Sequence, residues 1–501
     1  MEKSKVTRCL DNQVKEKEVI YPKTVEEIRQ TIAYCNENKI SFYPVSSGNN
    51  WGYGSSFPTN DHTPIIMNLS RMPSVIAFDE KDGLLTFGPG LTQQKLYEFL
   101  EANNHAFMVP VTGAGPNANI MGNALERGFG ITPIHDHVES VIAIKAVLPD
   151  GSNYESSFAQ LGLSTLDKRY KWAVGPNFDY IFFQSNFGVV YEMTIKLEKI
   201  PESILMFNIS IDQNELSDCL EIFKALKATY KGFLSGVNFM NSRRMLAMKT
   251  SYLKEEKGFI NDEKIKSLQK QHKLSDWTIV GAIYGPKDIA ARIKRAIKKS
   301  LSGIGTNKQY LSSNSILFSI PSVGNFLIGK EQFLLLKEAF AILKGKPSLL
   351  PLNLIYSKKD VKENDKKYNP IKDNVGIIWY APVIPIHVDI IERYHDFLTE
   401  KFKKFAMEPI LTFTLQNENI AAVTMPLLFD KTDNKETENA HALYKTLLKE
   451  TLNYNAYPYR IPSIFQKEYL EKLDTKNSLT IKLKKQIDPN NILAPNRYSK
   501  I

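Results

Sequence analysis

Residues Pro44 to Ser56 read P-V-S-S-G-N-N-W-G-Y-G-S-S, and no other stretch constrains the chain as strongly. They follow a β-prone run, Ile40-Ser41-Phe42-Tyr43, and set Gly48, Gly52 and Gly54 among small hydroxyl and amide side chains. Such a loop can turn tightly and aim several backbone N–H groups at one point, which is how a loop holds a phosphate. The spacing is neither that of a Walker loop, which ends in Gly-Lys-Ser/Thr, nor that of a G-x-G-x-x-G run opening a helix. A polar surface loop is the competing reading, so other stretches must decide.

Two do. Gly113 to Pro133 reads G-A-G-P-N-A-N-I-M-G-N-A-L-E-R-G-F-G-I-T-P, and Asp488 to Arg497 reads D-P-N-N-I-L-A-P-N-R. In that order the three stretches resemble the flavin-binding domain of the vanillyl-alcohol oxidase family, in its branch that oxidises para-substituted phenols. The resemblance implies an α+β fold: a p-cresol-methylhydroxylase-type FAD-binding domain and a substrate cap on an antiparallel, ferredoxin-like sheet. The expected boundaries are 1–200 for the FAD domain, 201–455 for the cap, and 456–501 for a segment returning to the FAD domain. The likeness is weakest between Glu202 and Asn374.

Length agrees with two domains, because 501 residues exceed what one hydrophobic core usually serves. A hydrophobic fraction of 43% with 24% charged residues is that of a soluble globular protein. The longest apolar runs, such as Val141 to Leu148, are broken by charge and too short to span a bilayer. The charged N-terminus has no signal-peptide core, and Cys9, Cys35 and Cys219 follow no disulfide or metal spacing, so free thiols in the cytoplasm are expected. The net charge of +10 comes from lysines scattered over helical stretches, without arginine and aromatic interleaving, so nucleic acid is not an expected partner.

Tyr21 to Ile28 opens a helix, with Thr24 and Glu27 at capping-box spacing. Strands are expected at Ile65–Leu69, Val75–Phe78, Leu84–Phe87, Val141–Leu148 and Asn186–Thr194, and a helix at Thr92–Asn103. Beyond Pro201, strands alternate with lysine-rich helices: Leu205–Ile211, Glu215–Tyr230, Trp277–Tyr284, Asp288–Ser300. Gly376 to Val383 is a late cap strand.

Oxidising a phenol at its para-benzylic carbon removes a hydride and passes through a quinone-methide-like state. That path opens when the phenol is held as phenolate, so donors or positive charge must face its oxygen. By resemblance, Tyr53 and the pair Tyr459-Arg460 supply them. In a chain with 23 tyrosines, a tyrosine that simply packs is the ordinary alternative. Glu126 matches the acidic residue near flavin N5, where a base could remove a proton or activate water; a structural ion pair is the rival role. Cofactor contacts implied by the resemblance are Ser46, Ser47, Gly48, Asn49, Asn50, Gly52, Gly122, Asn123, Gly130, Ile131, His137, Gly188, Val189 and Arg497.

Relatives often bond the flavin to a histidine. Here Ala422 and Val423 stand where some carry a His-His pair, and Asn49 or Asn50 where others carry a loop histidine. Non-covalent FAD is therefore expected, with tyrosine linkage as the alternative. His135-Asp136-His137 has no metal-site spacing, and no metal is expected. Trp51 and Ser55-Ser56 depart from the family pattern, so the pocket or its cofactor contacts differ. The expected activity is an FAD oxidase of a phenolic small molecule, with dioxygen giving hydrogen peroxide and a homodimer or larger assembly. The alternatives are a dehydrogenase feeding an electron carrier, the same fold on a non-phenolic substrate, and a flavin-free binding protein.

Overall fold

A computed structural model describes residues 2–59, 62–256, 258–315, 318, 329–359, 368–473 and 478–499. It divides into two compact units, one of residues 1–130, 136–199 and 461–501, the other of residues 131–135 and 200–460.

The first unit holds two sheets. A four-stranded sheet has the order β1-β2-β4-β3, with β1 Glu2–Thr7, β2 Val14–Ile20, β3 Phe42–Val45 and β4 Ile65–Asn68. Both β2 and β3 run parallel to β4, joined by α1, Val25–Asn38. The α1 N-terminus is capped by Thr24, whose Oγ1 accepts from Glu27 N at 3.2 Å. Glu27 reaches back one residue further than a capping box requires, accepting from Lys23 N at 2.7 Å. Ile28, Ile32 and Cys35 fall on one face of α1 and bury against Phe42, Ile65, Met67 and Leu493. That core fixes where the loop after β3 begins.

The second sheet of this unit has the order β5-β6-β9-β7-β8: β5 Val75–Asp79, β6 Leu84–Phe87, β7 Val141–Val147, β8 Asn153–Tyr154 and β9 Val189–Lys196. All its pairs are antiparallel. Between β6 and β7 lie α2, Gln93–Ala102, capped by Thr92, and the short α3, Ile120–Leu125, capped by Asn119.

The second unit is built on one nine-stranded antiparallel sheet of order β13-β10-β12-β11-β16-β17-β15-β18, with β14 beside β17. These are β10 Ser203–Ile211, β11 Val237–Asn241, β12 Trp277–Gly285, β13 Thr306–Ser312, β14 Val375–Tyr380, β15 Pro382–Pro385, β16 Thr412–Leu415, β17 Ile420–Asp430 and β18 Tyr457–Pro458. The path contains the same motif twice. Strands β10, β11, β12 and β13 with helices Leu216–Thr229 and Lys287–Ser300 form one β-α-β-β-α-β unit; β15, β16, β17 and β18 with Val388–Lys404 and Asn434–Glu450 form another. Each has the ferredoxin-like strand order, and they join where β11 pairs β16.

Directly paired residues share a sheet face, so the register sorts the side chains. Ile209, Ile279, Phe239, Phe413 and Val423 line one face, where Phe223 of the first helix stacks on Phe207 at 5.6 Å. The other face carries Asn238, Thr414, Ala422, Val383 and Tyr457 in register across five strands. Among the described residues, no helix is long and apolar enough to cross a membrane. Cys9, Cys35 and Cys219 are buried free thiols.

Candidate active site

The loop after β3 is held by its own backbone: Tyr53 N and Ser55 N both donate to Asn50 O, at 3.1 and 3.0 Å, and Phe57 N to Gly54 O at 3.0 Å. Gly48 and Gly52 sit at φ of 72° and 77°, the left-handed region that favours glycine. A Cβ on Gly48 would also meet Ser56 Oγ at 2.3 Å, and one on Gly54 would meet Ser463 Oγ at 2.5 Å. The hydroxyls of Ser55 and Ser463 are shut off from solvent and find no hydrogen-bond partner among the described residues. Buried hydroxyls of that kind are costly unless something else satisfies them. A close-turned glycine loop with orphaned hydroxyls fits a phosphate-bearing cofactor such as FAD.

The second glycine stretch comes to the same place. Asn49 Nδ2 donates to Asn117 O at 3.0 Å, and a Cβ on Gly122 would meet Ser46 Oγ at 2.7 Å. Asn119 organises this end: its Oδ1 accepts from Gly122 N at 2.7 Å, while its Nδ2 donates to Pro89 O and Leu91 O at 2.6 and 2.9 Å. Asn123 Oδ1 lies 2.6 Å from His137 Nδ1, and a Cβ on Gly130 would meet His137 Nε2 at 2.2 Å and Val111 O at 2.7 Å. Ser46, Asn49, Gly122, Asn123, Gly130 and His137 are thus brought together as one backbone-rich cluster.

The C-terminal stretch completes it. Phe42 N donates to Ile492 O and Ala494 N to Phe42 O, both at 2.8 Å, so residues 492–494 run beside β3. Asp488 builds that turn by accepting from Ile492 N and Leu493 N at 2.9 and 3.0 Å. Lys484 Nζ reaches Asp488 at 2.5 Å, Asn186 O at 2.6 Å and Leu493 O at 3.1 Å, with both charged side chains fully buried. Burial pulls the Lys484 ammonium down to about 8, against the pull of Asp488. Arg497, carried on this stretch, donates to Tyr43 OH at 2.7 Å and pairs with Glu126. Burial opposes its charge, but Glu126 and Tyr43 together hold the guanidinium above its ordinary pKa. Glu126 and Arg497 are therefore partners in a structural ion pair.

Gly188 packs tightly, since a Cβ there would meet the Phe182 ring at 2.7 Å and Val147 O at 3.2 Å. The Val189 side chain belongs to the apolar core around α1 and β3. Ile131 lies in the stretch 131–135 that groups with the second unit. His135 and His137 part ways: His135 Nε2 is 2.9 Å from Gln416 O in the second unit, whereas His137 stays with Asn123 in the first.

Tyr53 is buried, and its carbonyl accepts from Ser463 N at 2.8 Å. Tyr459 and Arg460 end the second unit, Tyr459 N donating to Ala381 O at 3.2 Å and Arg460 being buried. Ala422 presents a methyl group between Thr414 and Val383 on the polar sheet face, and Val423 is buried against Phe413. Trp51 is buried in the loop. Reading the sequence missed Tyr43, Ser463 and the Lys484–Asp488 pair. Asn119 could have been found, since it stands three residues before Gly122 at N-cap spacing.

Residues 17–157 match the FAD binding domain family. The chain is 26% identical to the 1'-carboxy-chondrochloren decarboxylase of Chondromyces crocatus, over 96% of this chain and 90% of that protein. It is 25% identical to the flavoprotein subunit of the hydroxylating 4-cresol dehydrogenase of Pseudomonas putida, over 95% and 86%. Its fold is that of the 4-ethylphenol oxidase of Gulosibacter chungangensis, with a TM-score of 0.84 at 21% identity, over 96% of this chain and 88% of that one.

Proposed function

From the premise that this chain is a flavin-dependent oxidoreductase with a p-cresol-methylhydroxylase-type FAD-binding domain, we propose that it oxidises a para-substituted phenol at the benzylic carbon. What carries this reading is the reach of the 4-cresol dehydrogenase match, which spans 95% of the chain and so includes the second unit as well as the FAD domain. In this reading the first unit supplies the FAD contacts and the second supplies substrate contacts. FAD, when bound, supplies the hydride acceptor.

The chain's own residues do the rest. Ser46, Ser47, Gly48, Asn49, Asn50 and Gly52 offer loop amides and hydroxyls to the phosphates, and Asn123, His137 and the backbone at Gly130 support the isoalloxazine end. Tyr53, Tyr459 and Arg460 hold the substrate oxygen as phenolate, worth several kcal/mol, of the order of 2 or more per charged hydrogen bond where water is excluded. Glu126, oriented by Arg497, takes up the proton that leaves the substrate or its attacking water. The methyl group of Ala422 and the amides of Asn49 and Asn50 cannot bond a flavin methyl, which supports non-covalent attachment. Dioxygen as acceptor, a homodimer or larger assembly and a cytoplasmic location complete the proposal.

Tyr459→Phe and Arg460→Ala should each lower kcat/KM at least about tenfold with the flavin content unchanged. Unchanged turnover in both would remove these residues from the site. A dehydrogenase is the second reading, favoured by the 4-cresol dehydrogenase relative. Slow reoxidation of the reduced protein in air, accelerated by a cytochrome, would decide for it.

A further inference from the structure

The ferredoxin-like halves of the second unit differ at one connection. In the second half, β16 and β17 are joined by a tight turn, residues 416–419; in the first, residues 242–276 intervene between β11 and β12. That insertion holds the helices Ser242–Lys249, Tyr252–Glu255 and Asp262–His272, and its first helix begins Asn241-Ser242-Arg243-Arg244. Asn241 caps it, Oδ1 accepting from Arg244 N at 2.9 Å.

The two arginines have opposite surroundings. Arg243 is fully engaged: with Glu408, with Asp262 at 2.6 Å and with Ile260 O at 2.9 Å. Arg244 is half-buried as a residue, but its Nε and Nη1 are closed off from solvent and have no hydrogen-bond partner among the described residues. No carboxylate lies within ion-pair reach of it among the described residues. Two other buried arginines do have an anion: Arg8 pairs with Asp11 and Arg497 with Glu126. A guanidinium stays charged at neutral pH, and hiding one without a counter-charge weakens the fold. Burial does lower the Arg244 pKa, to about 10, which still leaves it a cation. Such unmatched donors, on an insertion that the second ferredoxin-like half does without, are suited to an anionic ligand.

We propose that Arg244 anchors an oxyanion-binding site in the second unit, taking the carboxylate or phosphate group of a small molecule. Delocalised, forked N–H donors suit both groups. The proposed site uses none of the phenolate residues, so its test does not depend on the reaction proposed above.

The test is thermal unfolding of the flavin-loaded protein in sodium chloride, sodium benzoate and sodium phosphate at equal ionic strength, for the wild type, Arg244→Met and Arg244→Gln. The expected result is saturable stabilisation of the wild type by benzoate, phosphate or both, lost in both variants. In chloride, the variants should unfold at or above the wild-type temperature, because they remove a buried charge. Response to benzoate alone assigns a carboxylate ligand; response to phosphate alone assigns a phosphate. No anion response in the wild type, or the same response in the variants, overturns the proposal. So does a fall of more than about 4 °C for both variants in chloride, which would make Arg244 a structural residue.

Discussion

Asp488→Asn tests how the C-terminal stretch reaches the cofactor loop. The Asp488 carboxylate receives three donors, Lys484 Nζ and the amides of Ile492 and Leu493, at 2.5–3.0 Å with no solvent exposure. Asparagine offers one acceptor oxygen and turns an N–H toward the remaining donors. Lys484 then keeps only the carbonyls of Asn186 and Leu493. Breaking a buried pair by removing one partner costs about 3–5 kcal/mol. At roughly 2–4 °C per kcal/mol for a unit of this size, the unfolding temperature should fall by about 6–20 °C. Replacing both residues, as Lys484→Met with Asp488→Leu, should recover a large part of that loss, because the charge leaves with its partner. Thermal unfolding followed by both circular dichroism and flavin fluorescence reads the effect, and flavin release should move with the unfolding of the first unit. A single variant within 2 °C of the wild type, or a double variant worse than either single, would refute this account.

Gly130→Ala puts a methyl 2.2 Å from His137 Nε2 and 2.7 Å from Val111 O, so it should cost about 1–3 kcal/mol and lower the FAD content of the purified protein; full flavin loading with wild-type stability would contradict it. Arg497→Lys replaces a fork that reaches both Tyr43 and Glu126 by a single ammonium, and FAD affinity measured by titration of the apoprotein should weaken about tenfold or more. Asp179 is buried, and burial with the nearby Asp167 lifts its carboxyl to about 6 although Tyr154 donates to it. Because the folded state then holds the proton more tightly than the unfolded state, stability falls as pH rises from about 4 to 6 and stays reduced above that. Asp179→Asn should therefore stabilise the protein at pH 7, by an amount on the order of 2 kcal/mol, and have little effect near pH 4. Equal stabilisation at both pH values would show that ionisation is not the cause.

The elements were legible where a local rule determines them. Thr24 and Thr92 cap the helices they precede, and the strands at Leu84–Phe87 and Trp277–Gly285 are apolar runs bounded by turn residues. The strands β1 and β2 were not legible, because Glu2–Thr7 and Val14–Ile20 are dominated by charged residues whose strand pairing depends on β4, some fifty residues away. The site was legible through its glycines, since a backbone that approaches another group closely excludes a Cβ, as at Gly48, Gly122 and Gly130. Its side-chain partners were less so. Lys484 lies on a lysine-rich helix and Asp488 is its C-cap, at i, i+4, the spacing of an ordinary surface pair, and only the tertiary fold hides them. Tyr43, one of the many tyrosines, gains its role from Arg497, 454 positions away.

The reaction itself is tested most directly by mixing the flavin-loaded protein, without oxygen, with a para-alkylphenol and, separately, with its methyl ether, and following the visible flavin bands. The ether keeps size and apolarity but cannot become a phenolate. The phenol should bleach the flavin and the ether should not, and Arg460→Ala should slow the phenol toward the rate of the ether. Equal bleaching by both, or bleaching by neither across a panel of phenols while a non-phenolic donor reduces the flavin, would contradict the proposed reaction.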